Sequence, residues 1–349
     1  MPNCTMYENS DLGVSMAGSS QQKLKILYLM RILHEQSDED HPMSALDLLR
    51  ELERYGISAE RKSIYKDLNL LTDYGMDIVH TRLPKQGWFL GKQEFELPEL
   101  RLLIDAVQSA AFITPKKTKE LLSKLDRQMS CHQARDMGRQ VYIDSRVKCV
   151  NEEIYYNIDI MHKAIAQNKK VSFYYYRREV GRGRTARNEG KPFEVSPYAM
   201  LWVNDHYYLV SNLDKLDSLT HFRLDRMGKV KMLENPRRSF EEVSEYRNTF
   251  DAADYARKCF SMFGGETELV DLRCVNELLE EVMDRFGENV KVYKDDAKHF
   301  HIRVQAKVSI GLVSWVLQFG TGIEAIAPKQ LRQMIIERVN GMVAMYRGF

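Results

Sequence analysis

The chain has 349 residues, 44% hydrophobic and 29% charged, enough apolar material for more than one core and for about three domains. Its 51 Lys and Arg against 49 Asp and Glu leave a formal charge of +2, so any surface for nucleic acid has to be local. No apolar run reaches the roughly 18 residues that a membrane-crossing helix needs, so no membrane association is expected. The five cysteines, Cys4, Cys131, Cys149, Cys259 and Cys274, are far apart with no Cys-x-x-Cys pair. That spacing argues against zinc or a disulfide framework and for reduced thiols in a cytoplasm.

Residues 1–20 are polar, with scattered Gly and Ser and neither a basic start nor an apolar core; they read as a disordered tail, not a signal peptide. Lys23 to Gln36 carries Leu24, Leu27, Met30 and Leu33 at helical spacing. Ser44 with Asp47 three residues on is a capping-box-like start for a second helix, whose stripe Leu48, Leu49, Leu52 ends at Gly56. Ser58 is expected to cap a third helix, Ala59 to Tyr74, with Ile64, Leu68 and Leu71 inward. Two helices separated by Tyr55-Gly56-Ile57-Ser58 make a helix-turn-helix, and the third helix would be the recognition helix. Its other face offers Arg61, Lys62, Ser63, Tyr65, Lys66 and Asn69, cations and hydrogen-bonding groups suited to phosphates and base edges. Met76 to His80 and Trp88 to Leu90 read as two short strands joined by a wing with Arg82 and Lys85. Basic and acidic residues balance over 21–92, so a plain solvated face is the competing account of these charges.

Residues 93–150 read as a helical connector without chemistry of its own: one helix from Pro98 to Ile113, a second from Thr114 and Pro115 at N-cap and N1, then a strand at Gln140 to Ile143. Ile158 to Gln167 is a helix leading into a strand, Lys170 to Arg177. Basic residues outnumber acidic ones between Lys169 and Lys191, and the Gly- and Arg-rich loop Glu179 to Gly190 reads either as a solvated hairpin tip or as a mobile cationic lip for an anion. Leu201 to Val203 and Tyr207 to Val210 flank Asn204-Asp205, a hairpin signal. Leu219 to Asp225 places His221, Arg223 and Asp225 on one face and Phe222 and Leu224 on the other, giving a sheet with an apolar and a charged side.

Tyr207-Tyr208-Leu209 followed by Phe222-Arg223-Leu224-Asp225-Arg226, with Val171, Phe173, Tyr175 and Pro197, resembles the WYL domain of bacterial transcription regulators. Tyr207 stands where the name-giving triplet usually has Trp. The resemblance implies a small Sm-like or SH3-like β-barrel over 151–236 that senses a ligand and controls an attached DNA-binding domain; residues 56–75 are similar to the winged helices that head such regulators. It further implies an anionic effector, a nucleotide or single-stranded nucleic acid, held by basic and aromatic positions. Tyr175, Tyr208, Arg223 and Arg226 match the family motif directly, whereas Lys191, Ser196, Tyr198 and His221 are assigned by proximity. Arg forks suit phosphates and aromatic faces suit bases; the competing account has Arg226 paired to Asp225 or a neighbour and Tyr208 filling the barrel.

From Glu268 the order strand, helix, two strands, helix, strand, helix predicts an α+β sandwich of ferredoxin-like type over 237–349, similar to the extension that often follows WYL domains. Trp315 to Phe319 reads as core. His299 and His301 share a strand face without a third ligand nearby, so a surface pair is the expectation, not a metal site. No P-loop, G-x-S-x-G, H-E-x-x-H or dinucleotide fingerprint is present, so neither a catalytic residue nor a cofactor is expected. The sequence thus predicts a cytoplasmic, homodimeric transcription regulator of α+β multidomain class that binds double-stranded DNA. A nucleic-acid-binding accessory protein using the barrel as its main surface is the alternative, and a nucleotide-processing enzyme the weakest reading.

Overall fold

The computed structural model describes residues 18–137, 148–246 and 250–347. Residues 1–17 of the expected tail and the strand expected at Gln140 to Ile143 lie outside the described residues. The protein is a mixed α+β chain that divides into two compact units, residues 1–148 and 149–349.

The first unit begins with α1 (Gly18–Gln36), α2 (Ala45–Arg54) and α3 (Arg61–Asp73), followed by the antiparallel hairpin β1 (Ile78–Thr81) and β2 (Gly87–Leu90). Helical spacing puts Leu29, Ile32, Leu33, Leu48, Leu52, Ile64, Leu68 and Leu71 in one core, with Met76, Ile78 and Trp88 packed against it. Ser44 and Asp47 close the capping box on α2. The α2 and α3 ends need glycine: Gly56 and Gly75 have φ of 73° and 107°, and the next amides, Ile57 and Met76, reach back to the Leu52 and Leu71 carbonyls at 3.0 Å. These are Schellman endings, which favour a residue without a Cβ at the left-handed position. Two of these three helix starts differ from the sequence reading. The segment Gly18–Ser20 is already helical, and Glu60, not Ser58, is the N-cap of α3, without a side-chain cap bond.

Among the described residues three further helices follow in this unit: α4 (Leu97–Ser109), α5 (Pro115–Asp126) and α6 (Cys131–Met137), the last with no sequence forecast. Thr114 caps α5, as its place before Pro115 predicts. Asp38, 5% exposed, ties the end of α1 to the start of α6 by accepting from Ser130 Oγ and by pairing with His41. The His41 ring in turn stacks on His132 at 3.8 Å between centroids.

The second unit opens with α7 (Ile154–Ala166), then β3 (Lys169–Glu179), β4 (Gly183–Ala186), β5 (Phe193–Val203), β6 (His206–Asn212), β7 (Leu219–Arg223) and β8 (Met227–Pro236). They form a curled sheet of order β4-β3-β5-β6-β7, with β8 on β3. Asn204 and Asp205, at φ of 49° and 60°, make the two-residue turn that sets the β5–β6 register. The segment between Glu179 and Gly190 is not a plain loop: β4 pairs with the end of β3, and residues 188–190 form a 3-10 turn. The run from Leu219 ends as strand at Arg223; Leu224–Arg226 is another 3-10 turn. Inside the curl lies an aromatic cluster in which Phe173 sits 5.1 Å from Phe222 and 6.1 Å from Phe193.

After β8 comes α8 (Ala252–Lys258), then β9 (Thr267–Val275), α9 (Leu279–Phe286), β10 (Val292–Lys294), β11 (His299–Lys307), α10 (Ile310–Gln318), β12 (Ile323–Ala327) and α11 (Lys329–Tyr346). The strands pair antiparallel in the order β10-β11-β9-β12. Val270, Leu272, Ile302, Val282, Leu312, Val316 and Leu331 build the core between sheet and helices. Trp315 packs on Phe260, Phe286 and Phe319, as expected of core. Arg285 lies 3.9 Å above the Phe260 ring and donates to the Arg257 and Cys259 carbonyls, which terminates α8.

Candidate effector site and nucleic-acid interface

The α3 surface separates its predicted residues into three groups. Lys62, Lys66 and Asn69 are exposed. Arg61 is exposed and donates to the Tyr65 hydroxyl from Nε at 3.3 Å and Nη2 at 3.2 Å. The Tyr65 ring stands edge-on to Trp88 at 5.2 Å, so Trp88 of β2 braces the Arg61 edge of α3. Ser63, by contrast, turns inward: its hydroxyl accepts from Lys25 Nζ at 3.0 Å, beside the Lys25–Asp67 ion pair at 2.8 Å. Among the hairpin residues Arg82 is exposed, whereas Lys85 pairs with Asp47 at the start of α2, which lowers its value to a phosphate. Ser58 is exposed, ahead of the helix.

The eight predicted effector residues do not form one site. Tyr208 on β6 is the ladder partner of Arg223 on β7, so period two places both on one face with His206. Arg223 grips Asp225 in a fork, Nε to Oδ1 at 3.0 Å and Nη2 to Oδ2 at 2.8 Å, and Nη2 also donates to His206 Nδ1 at 3.2 Å. Burial opposes charge on both partners, but the paired hydrogen bonds outweigh it and hold the Arg223 pKa up and the Asp225 pKa down. Burial, and then the Arg223 charge, push the His206 pKa down, so its ring is neutral and accepts. The competing account of the sequence paired Asp225 with Arg226; in the structure Asp225 takes Arg223 and leaves Arg226 exposed on the 3-10 turn. Tyr175 contributes only its hydroxyl, which accepts from the Arg223 amide at 3.2 Å; its ring belongs to the aromatic core.

Asn151, which sequence reasoning missed, fixes this turn. Its side-chain amide, 8% exposed, donates to the Met227 carbonyl at 2.8 Å and the Asp225 carbonyl at 3.2 Å. Replacing Asn151 with Ala leaves both carbonyls short of a partner, and urea denaturation should show a loss of about 1–3 kcal/mol.

The remaining four lie elsewhere. Lys191 is exposed, just past the 3-10 turn at 188–190. Ser196 and Tyr198 are buried on β5, five and three residues before Leu201, the ladder partner of Tyr208. There Ser196 Oγ accepts from the Arg238 amide at 2.9 Å, and the Tyr198 hydroxyl donates to the Arg238 carbonyl at 3.1 Å.

His221 shares the Arg223 face, yet that face is not charged along its length. Tyr255, Cys259 and Met262 cover it, packing on Leu201 and Val210. His221 Nε2 meets the Tyr255 hydroxyl at 2.8 Å. Burial, helped by the Lys307 charge, pushes the His221 pKa down to about 4. The unfolded chain, with an ordinary value near 6.5, binds this proton first. Stability is therefore whole above pH ~6.5 and falls between there and pH ~4, by at most roughly 3 kcal/mol from this site. Chemical denaturation across that window should show His221→Gln losing less stability on acidification than the parent.

The other chemistry considered in the sequence resolves into ion pairs. His299 bonds Asp296 at 2.9 Å and Arg273 at 3.0 Å, and His301 bonds Asp271 at 2.8 Å. Asp295, Asp296 and His299 lie close enough to share a cation, but both aspartates already pair with Arg273 at 2.7 Å. Among the described residues Cys149, Cys259 and Cys274 form no disulfide. Among the described residues no helix is long and apolar enough to cross a membrane.

Comparison with known proteins adds the following. Residues 157–232 match the model of the WYL domain, and residues 266–343 that of the WCX domain. No curated protein matches. Among solved structures, the proteasome accessory factor B/C (PafBC) of Arthrobacter aurescens aligns over 98% of this chain and 52% of its own, at 16% identity and a TM-score of 0.27. The chain thus spans about half the length of that protein. The chain carries a WYL domain followed by a WCX domain.

Proposed function

We propose that the protein is a DNA-binding transcription regulator whose WYL domain takes an anionic effector. The observation that carries this reading is the α3 edge: Arg61, Lys62, Lys66 and Asn69 are exposed together on a helix that follows a Gly56 turn, with the Arg82 hairpin after it and a WYL domain downstream. We read α1 to β2 as a winged helix-turn-helix, with α3 in the major groove of duplex DNA and the β1–β2 tip on phosphates. Ser58 would sit at the entry to the groove. Lys85 and Ser63, already engaged, contribute little.

Tyr208, Arg226 and the Arg223–Asp225–His206 cluster form the effector site in this reading. Arg226 is the exposed cation of this cluster and Tyr208 the stacking surface, and Asp225 yields Arg223 to a phosphate only if the ligand outcompetes it. A nucleotide or a short single strand fits that chemistry. The curled sheet is read as the Sm-like barrel of the domain. The strand order β10-β11-β9-β12 in a βαββαβ chain supports a ferredoxin-like reading of the C-terminal part. The protein acts by binding, not catalysis, in the cytoplasm and as a homodimer that reads two half-sites. The effector changes DNA affinity only by the difference in its own affinity for the two states.

A thermal-shift comparison tests the site. Mononucleotides and short single strands should raise the melting temperature of the parent, and the shift should shrink strongly in Arg226→Ala. An equal shift in both proteins would remove Arg226 and Tyr208 from the effector site.

A further inference from the structure

The segment after β8 builds a cavity of about 460 Å³, lined by Asn168, Tyr198, Arg237, Arg238, Phe240 and Phe250, with Ser239 and the exposed Glu241 beside them. Its two arginines are in opposite states. Arg238 is neutralised, with Nη2 on Asp217 and Nε on Glu242, each at 2.9 Å. Arg237 is half-buried, and among the described residues no carboxylate lies within ion-pair distance of it. Its Nη1 donates to the Pro197 carbonyl at 2.9 Å, and the guanidinium lies 5.2 Å from the Tyr198 ring centre. The rest of the fork has no protein acceptor among the described residues. Burial pulls the Arg237 pKa below the usual arginine range, with only Tyr198 acting against it. A half-buried cation without a counter-charge is costly, and most proteins pair it.

The cavity walls indicate what would pair it. Tyr198, Phe240 and Phe250 form a run of rings at 5.0 and 5.1 Å. The volume lies within the range of small-molecule sites. We propose that this cleft binds a small planar anion, an aromatic ring bearing a phosphate or carboxylate, with the anionic group on the free part of the Arg237 fork and the ring against Phe240 and Phe250. The Tyr198 hydroxyl and Ser196 are already committed to the Arg238 backbone; they hold the loop in place and do not contact the ligand. Selection against cations and neutral rings follows from Arg237. This site is separate from the Tyr208–Arg226 cluster, and the inference does not rest on that reading.

The test is isothermal titration of the full chain with two probes that are not nucleotides, phenyl phosphate and salicylate, against four variants. Binding of at least one probe is expected in the parent and in Arg226→Ala. It should fall by at least about tenfold in Arg237→Gln, the order of a lost charge-assisted hydrogen bond, and weaken in Phe240→Ala. Arg237→Lys, which keeps the charge but not the fork, should recover part of the loss and covers the case in which Arg237→Gln melts early. Absence of binding by either probe in the parent at millimolar concentration overturns the proposal. So does binding that survives Arg237→Gln, or that is lost only in Arg226→Ala.

Discussion

Phe173→Ala is expected to lower the unfolding free energy of the second unit by about 3–5 kcal/mol, the cost of deleting a fully buried ring from a core that collapses only partly. Phe173 is fully buried and stands edge-on to Phe222 at 5.1 Å and to Tyr175 at 6.4 Å, with Phe193 stacked at 6.1 Å. Every strand carrying those rings, β3, β5 and β7, therefore loses a neighbour at once. Urea melts of the full chain, followed by tyrosine fluorescence, measure it. Phe173→Leu, which keeps most of the volume, should cost well under half as much. Since β7 carries Arg223 and Tyr175 meets its amide, the Ala variant should also blunt any effector response.

The second large effect concerns DNA. Arg61→Ala with Lys62→Ala removes two exposed cations from the α3 edge while leaving Ile64, Leu68 and Leu71 in place. Fold stability should change little, as exposed substitutions do. Duplex affinity at moderate salt should fall by about tenfold or more, and the dependence of log affinity on log salt should become shallower by about two phosphates' worth. Arg61 also donates to Tyr65, which rests on Trp88, so Arg61→Lys tests whether the charge or the bonded geometry matters. A duplex affinity that is unchanged in the double variant would place the interface elsewhere.

The sequence reveals features whose causes lie within a few residues. The Ser44–Asp47 box, the Asn204-Asp205 turn, the Thr114-Pro115 start and the apolar spacing of α2 and α3 depend on local chemistry and reappear in the structure; on α1 the expected stripe is displaced, with Leu27 exposed and Leu29 and Ile32 buried beside Leu33. β8 escaped because two register shifts against β3 break its alternation, so Met227 and Gly228 are buried in succession. The helix α8 escaped for another reason: its buried face is Tyr255 with Ala256 and then Cys259, not a leucine stripe. That helix is also why His221 was misplaced. The β7 face looks polar in isolation, and only a segment more than thirty residues later shows that Tyr255 covers it. Ser196 and Tyr198 join Tyr208 in the sequence only by proximity, whereas strand register separates them and gives them to Arg238. Arg237 had no sequence signal beyond following Pro236, because its significance is that among the described residues no carboxylate lies within ion-pair distance of it.

The most direct test of the account is fluorescence anisotropy of the full chain with a labelled 30-base-pair duplex of mixed sequence, titrated from low to moderate salt, with the Arg61→Ala, Lys62→Ala protein alongside. The account predicts duplex binding at low salt that weakens linearly on a log–log plot, with the double variant weaker and less salt-sensitive. A folded parent protein that leaves the duplex unbound at the lowest salt, or binds it no better than the double variant does, contradicts it.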